Sequence, residues 1–480
     1  MKRFLLVLIG VAAVVAFMTV PASAADFKFG GMFWTKYYST SNLTDGNDNI
    51  DDNLNGFYTR MRLYFTATAS ENLMAVCKLE IDDVWGNGRL GTTSTDGGSL
   101  GRSDNATQPA ANSGLEIKNA YIQFNMPNTP LTFMVGALPA KLGTGLCFND
   151  DTNGIIAIGK FDPVKVVAVY SRLQDNSMPT SNSLAAIGSA FSASNTPVTP
   201  YSSSDDWDLW GGWIGFNPMK ELALGLSGSW VTTTFKNPGR DFDLYNVVLD
   251  VDFKTDLFSL YFTGGKNFGS VDLTPSGSAD FKGWQLEGGG TVNVGPVVVG
   301  ADAYYSYGSN NTDDIETYVT PGVDGRNTYN MDEVVFPGWF DDYNATIAGT
   351  FNGLGGQAAG QGGGTLNFTN LTATGLTRTN AGYVPTNIWG VGAHVDIKPL
   401  EKTLVQLGGA YLQFVREVPS SPGDTSDKLG TSLYVRLSQG IVDGLELKAV
   451  FGYLFADNGY TPTSTDDNSY KFATGLFWSW

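Results

Sequence analysis

From Asp26 to Trp480 one unit recurs: about ten residues in which apolar side chains alternate with polar residues or glycine, then a turn. In 222–230 (LALGLSGSW), Leu222, Leu224, Leu226 and Trp230 share one face, with Ala223, Gly225, Ser227 and Ser229 on the other. In 445–455, Leu445, Leu447, Phe451 and Phe455 oppose Glu446, Lys448 and Gly452. A period of two is the strand signature, because successive side chains leave a strand on opposite faces. Eighteen such segments follow one another, from 27–38, 56–69 and 73–82, through 131–138 and 154–161, to 428–437, 445–456 and 470–480. Sixteen stays open, since 139–161 and 206–216 are poorly phased. Tight turns at 70–72, 127–130, 162–163, 217–221, 254–257, 295, 398–403 and 438–444 take strict alternation with longer connections. The longer set is 39–55, 83–114, 139–153, 174–205, 236–241, 269–280, 308–386, 417–427 and 457–469. An even strand count with this alternation predicts an all-β antiparallel barrel over 25–480. A soluble sandwich would also alternate. The polar faces here, however, are rich in Gly, Ser, Thr and Asn with isolated charges, and aromatics gather at segment ends, as in a barrel spanning a membrane. Closure is then obligatory, because an open sheet edge leaves unpaired backbone groups in hydrocarbon.

The first 24 residues read as an export signal. Lys2 and Arg3 precede an apolar run from Phe4 to Met18, and Pro21 with Ala22-Ser23-Ala24 marks cleavage after Ala24. That run is too short for a membrane-spanning helix. Composition adds two exclusions. Only 16% of residues are charged, against about 25% in soluble chains, and the net charge of −18 speaks against nucleic acid, whose phosphates need clustered bases. One histidine and two cysteines leave little for a zinc or haem site. No GxSxG frame accompanies His394, which with Asp396 lies on an inner face, so no catalytic residue is assigned and no enzyme expected. Cys77 alternates with Leu73, Ala75, Leu79 and Ile81 and so faces lipid, while Cys147 lies in a loop; both are expected as free thiols. No cofactor is expected. The acids of 308–386 (Asp313, Asp314, Glu316, Asp324, Asp332, Glu333, Asp341, Asp342) face only Arg326 and Arg378 and could take Ca²⁺ or Mg²⁺. Solvated surface charge explains them without a metal. DGNDNIDDN (45–53) lacks the closing Glu of a calcium loop.

Energetics assign the faces. A Lys or Arg towards lipid near the midplane costs about 2–4 kcal/mol, whereas in a wet lumen it is solvated. Phased this way, the lumen receives the bases Lys28, Lys36, Arg60, Arg62, Lys78, Arg436, Lys448 and Lys471, which share one arc once the last strand closes on the first. Glu80 and Asp82 point inward beside Lys78. The opposite arc carries Asp250, Asp252, Glu287, Asp302 and Asp396. Trp34, Tyr58, Tyr64, Tyr304 and Tyr434 are the inward aromatics. Two uses follow: a transverse field across the lumen, or an aromatic slide for sugars. Wall charges that merely keep a pore wet are the plain alternative.

The final segment, YKFATGLFWSW, puts Phe472, Leu476, Trp478 and Trp480 on one face and stops on an aromatic. Here the chain resembles Gram-negative outer-membrane porins, general or substrate-selective, over its whole mature length. The family more often ends in Phe. The resemblance implies an outer-membrane location, lipopolysaccharide contact and recognition of the Trp480 strand by the barrel-assembly machinery. It implies a homotrimer, for which outward Gly31, Gly288 and Gly290 are candidate contacts. It also implies passive diffusion of ions and small hydrophilic solutes, with 139–153 folded inward as a constriction bearing Lys141, Asp150 and Asp151. A substrate-specific channel and an adhesion barrel with acidic loops are the competing functions.

Overall fold

The computed structural model describes residues 26–42, 53–85, 115–174, 207–235, 240–274, 277–308, 314–316, 318–321, 331–336, 364–365, 371–372, 375–376, 387–421, 424–457 and 467–480. The leader 1–24, the acidic segment 45–53 apart from Asn53, nearly all of 83–114 and 174–205, and most of 308–386 lie outside them.

Within these residues one antiparallel sheet closes on itself. Its eighteen barrel strands are β1 (Asp26–Ser41), β2 (Leu54–Ser70), β3 (Leu73–Val84), β4 (Leu115–Asn125), β5 (Leu131–Leu142), β6 (Phe148–Phe161), β7 (Val164–Gln174), β8 (Trp207–Met219), β9 (Leu222–Phe235), β10 (Arg240–Lys254) and β11 (Phe258–Thr274), then β12 (Trp284–Val294), β13 (Val297–Ser306), β14 (Ile388–Leu400), β15 (Thr403–Ser421), β16 (Asp424–Val442), β17 (Leu445–Ala456) and β18 (Ser469–Ser479). The short strand Gly277–Asp280 adds to β11. Each strand pairs with its chain neighbours, and β1 meets β18 from Met32↔Ser479 to Ser41↔Tyr470. Gly31 and Trp480 exchange both main-chain hydrogen bonds at 3.2 Å, so the last residue of the chain completes the seam. A Cβ at Gly31 would run into the Trp480 ring and the Arg62 carbonyl. The space beside Gly31 is therefore filled by Trp480 of the same chain.

The alternation reads directly on β10. Tyr245, Val247 and Leu249 are exposed on the outer face, while Phe242, Leu244, Asn246, Val248 and Asp250 are buried inside. Short connections such as 71–72, 162–163, 295–296 and 443–444 all fall at one end, here called the turn end. Gly295 and Gly444 adopt the left-handed backbone these tight reversals need, at φ 63° and 79°. At the other, loop end the strands outrun their sequence signal. β9 and β10 stay paired to Phe235↔Arg240, and β15 and β16 to Ser421↔Asp424. Beyond the hydrocarbon neither face needs to be apolar, so the period of two fades although the backbone still pairs.

The segment 139–153 departs most from expectation. It is largely strand rather than loop: β5 runs to Leu142, β6 starts at Phe148, and they pair throughout from Leu131↔Gly159 to Leu142↔Phe148. Pairing of β5 with β4 stops at Ala120↔Ala137, and pairing of β6 with β7 starts at Asn153↔Arg172. Residues 138–152 thus form a hairpin paired only with itself, free to leave the wall.

Candidate functional site

The hairpin turns into the barrel because one of its faces is apolar. Leu138, Ala140, Leu142, Leu146 and Phe148 are fully buried against inward residues of other strands, among them Val167 and Val169 of β7, Leu209 of β8, Val231 of β9 and Leu244 and Val248 of β10. Each large apolar side chain so buried contributes about 1.5–3 kcal/mol. Three strands separate β6 from β10, yet the tip reaches it: Thr144 donates from its N–H and its Oγ1 to the Asp250 carboxylate, at 3.2 and 2.8 Å. The turn needs Gly143 (φ 58°) and Gly145 (φ 99°), and a Cβ on Gly143 would crowd Asp250 and the Trp213 ring. Cys147 is buried at this tip, and burial pushes its thiol up to about 11.

Two pieces of 308–386 enter from the loop end. Ile315 bridges Phe281, and Val319 is clasped by Asn267 of β11, whose Nδ2 donates to the Val319 carbonyl at 2.9 Å while its Oδ1 accepts the Val319 N–H at 2.7 Å. This piece also meets the hairpin tip: the Tyr318 hydroxyl donates to the Leu146 carbonyl and Thr320 Oγ1 to that of Cys147, both at 3.2 Å. The second piece, 331–336, is wholly buried against β13–β17. Met331, Val334, Val335 and Phe336 cover Tyr304, Ile388, Leu412, Phe414, Leu429 and Leu454. Its Glu333 pairs with Arg436 and, at 3.1 Å, with Lys471; all three side chains have no exposed surface.

On the wall of β1–β4 Lys36 and Glu80 are buried and Arg60, Arg62 and Asp82 are partly exposed, and the charges pair locally. Arg60 makes a bidentate contact with Asp82 at 2.6 and 2.8 Å, and Arg62 pairs with Glu80, which also lies 3.5 Å from Arg60. The register requires it, since Arg60 faces Asp82 and Arg62 faces Glu80 across β2 and β3. Lys36 sits 3.7 Å over the Trp34 ring, and Arg60 lies above the same ring. Lys78 approaches the Tyr64 ring, and Tyr58 stacks edge-on with Tyr38. A bulge at Lys118 turns both Lys118 and Asn119 towards Asp151, at 2.7 and 2.8 Å.

These positions revise the sequence picture residue by residue. Arg436 and Lys471 do not face open water; the Glu333 segment covers them, and Tyr304 and Tyr434 are buried with them. Lys448 is 3.5 Å from Glu446 on the same strand. Bases and acids are therefore not sorted onto opposite walls: Glu80, Asp82, Glu446 and Glu333 stand among the bases. Lys28 is exposed near the turn end. Among the acids, Asp250 holds the hairpin tip, Asp252 is exposed, Glu287 is buried, and Asp396 accepts from Gln406 at 2.6 Å. His394 meets Asp302 rather than Asp396, with Nδ1 at 3.3 Å from Oδ2, and the Tyr261 hydroxyl donates to Asp302 at 2.7 Å. Of the hairpin residues, Lys141 is exposed, the Asp150 carboxylate accepts the Asp151 N–H, and Asp151 is engaged by Lys118 and Asn119. Cys77 and Cys147 are free. Sequence reasoning missed Thr144, Lys118, Asn119, Asn267 and Gln406. One signal was available: apolar inward positions on β10 and β14–β17 make no sense against water and mark wall that something covers.

No family model and no curated protein sequence matches the chain. Solved structures do. Pseudomonas aeruginosa OccK2 (OpdF) superposes with a TM-score of 0.53 at 10% identity, covering 95% of this chain and 97% of its own. Acinetobacter baumannii OccAB4 gives 0.53 at 10%, covering 96% and 100%. A BenF-like porin from Pseudomonas fluorescens Pf-5 gives 0.53 at 12%, covering 95% and 98%. The chain shares its barrel fold with these structures, one of them named a porin, over nearly its whole length.

Proposed function

We propose that the chain is an outer-membrane channel that selects among small hydrophilic solutes and ions as they diffuse passively through a narrowed lumen. One observation carries this: a hairpin leaves the wall, spans three strands and is fastened by Thr144 to Asp250. An insertion anchored in this way narrows the path, so the size and charge of a solute decide how easily it passes. What remains for a solute is a wall of paired charges, Arg60, Arg62, Glu80, Asp82, Lys118 and Asp151, which can replace part of a hydration shell on entry. The barrel fold shared with the three neighbours supports the channel and an outer-membrane location; a homotrimer and recognition of the Trp480 strand by the assembly machinery are proposed from the sequence resemblance alone. Reconstitution into planar bilayers and liposomes tests it. A small conductance that saturates with one solute class is expected. A large conductance indifferent to solute class would make the chain a general-diffusion porin, and none at all would end the channel assignment.

A further inference from the structure

The segment 331–336 differs from the rest of the lumen filling in how it is fastened. It is not a strand. Asp332 Oδ1 accepts the N–H groups of Val334, Val335 and Phe336, closing a compact turn. That turn directs Glu333 at the wall, where Arg436 and Lys471 arrive from β16 and β18. The wall is prepared on its own side. Arg436 donates to Gln406 Oε1 at 2.6 Å and to the Asp332 carbonyl at 3.2 Å, and its guanidinium lies 4.5 Å over the Tyr434 ring. Gly392 and Gly452 leave a recess for Met331 and Val334, since a Cβ at either would sit about 3 Å from them. The cations thus belong to the barrel and the carboxylate to the inserted segment. Two buried cations without that carboxylate are not tolerated under a cover, so charge at Glu333 and cover over the wall must come and go together.

We propose that 331–336 is a latched strap, held on the inner wall by Glu333 on Arg436 and Lys471, whose release widens the channel. The proposal rests on the chain being a channel. Its contacts favour two discrete positions, because the apolar face of the strap and the wall cations are both satisfied when docked and neither is when half out.

The test is single-channel recording of full-length protein in planar bilayers, with Cys77→Ala and Cys147→Ala as background. Val334→Cys with Gly452→Cys places a disulfide across the docked contact, where a Cβ at 452 would lie 2.9 Å from Val334 Cγ2. Oxidised, this variant should show only the narrow level; reduced, it should regain openings to a wider one. Glu333→Gln, which keeps the shape and removes the charge, should raise the occupancy of the wide level about tenfold or more over the background chain. Identical levels and occupancies in oxidised and reduced protein, together with an unchanged Glu333→Gln, overturn the strap while leaving the channel standing. Absence of conductance in every form overturns the channel assignment and the strap with it.

Discussion

Two segments fill this barrel by different means. The hairpin 138–152 is wall that has been bent inward: its backbone pairs with itself, and its apolar face lies on β7–β10. The segment 331–336 has no such ladder and depends on side chains, four of them apolar and two acidic. The first is a cooperative extension of the sheet. The second can be released by changing one group. A fixed narrowing and a releasable one therefore sit in the same lumen, and Tyr318 and Thr320 fasten the hairpin tip to another piece of the long loop.

The comparison breaks most visibly if the hairpin is removed. Excising 139–152 and closing Leu138 to Asn153 through a short Gly-rich turn should raise single-channel conductance severalfold and leave the barrel closed, since β4, β5, β6 and β7 keep their pairing below the excision. Unchanged conductance would mean that the hairpin does not set the narrowest point.

Loosening the tip should act less strongly. Asp250→Ala removes the acceptor of both Thr144 bonds, and hydrogen bonds to a charged group contribute about 1.5–3 kcal/mol. Cys147 reports the result. Buried and with its thiol pushed up to about 11, it should alkylate slowly at neutral pH and faster as pH approaches that value. In Asp250→Ala the labelling should accelerate at every pH, with its midpoint moving towards an ordinary thiol near 8.5. Equal labelling in both proteins would show that the apolar face alone holds the hairpin.

On this wall, Glu80→Gln removes the carboxylate that pairs with Arg62 and lies 3.5 Å from Arg60. The reversal potential in a salt gradient should shift towards anions. No shift would place these charges away from the ion path.

The smallest effect concerns pH and the strap. Burial holds the Asp332 carboxyl above its usual range. A carboxyl whose pKa is raised on docking favours the docked state fully below its undocked pKa of about 3.9, and that contribution is lost as pH rises through the docked value. Asp332→Asn should therefore flatten the pH dependence of strap occupancy above about pH 4, read as wide-level occupancy. A profile as steep as that of the parent chain would assign the dependence to another group.

Much of the barrel was legible before any coordinates. The alternation in 222–230 and 445–455 located β9 and β17, and the need for closure brought the last strand onto the first, at the seam that Trp480 completes with Gly31. The charges of β2 and β3 read as inward from their phase, and their pairing was implicit in a register that sequence alone did not supply. The site was far less legible. In 139–153 the alternation of Leu138, Ala140 and Leu142 is present, but short and interrupted by glycines, so it reads as a loop. Nothing in MDEVVF announces that its second acid is an internal counter-ion.

The sequence by itself determined that strands would form, which face of each meets lipid and that the sheet had to close. All three follow from local periodicity and from the solvent on either side, which act on residues two apart. Only the tertiary structure decided what fills the lumen and which charges remain free there. Thr144 and Asp250 lie 106 positions apart, and Glu333 and Lys471 lie 138 apart. Contacts at such separations exist only once closure has brought distant strands around a common interior, and no period along the chain records them.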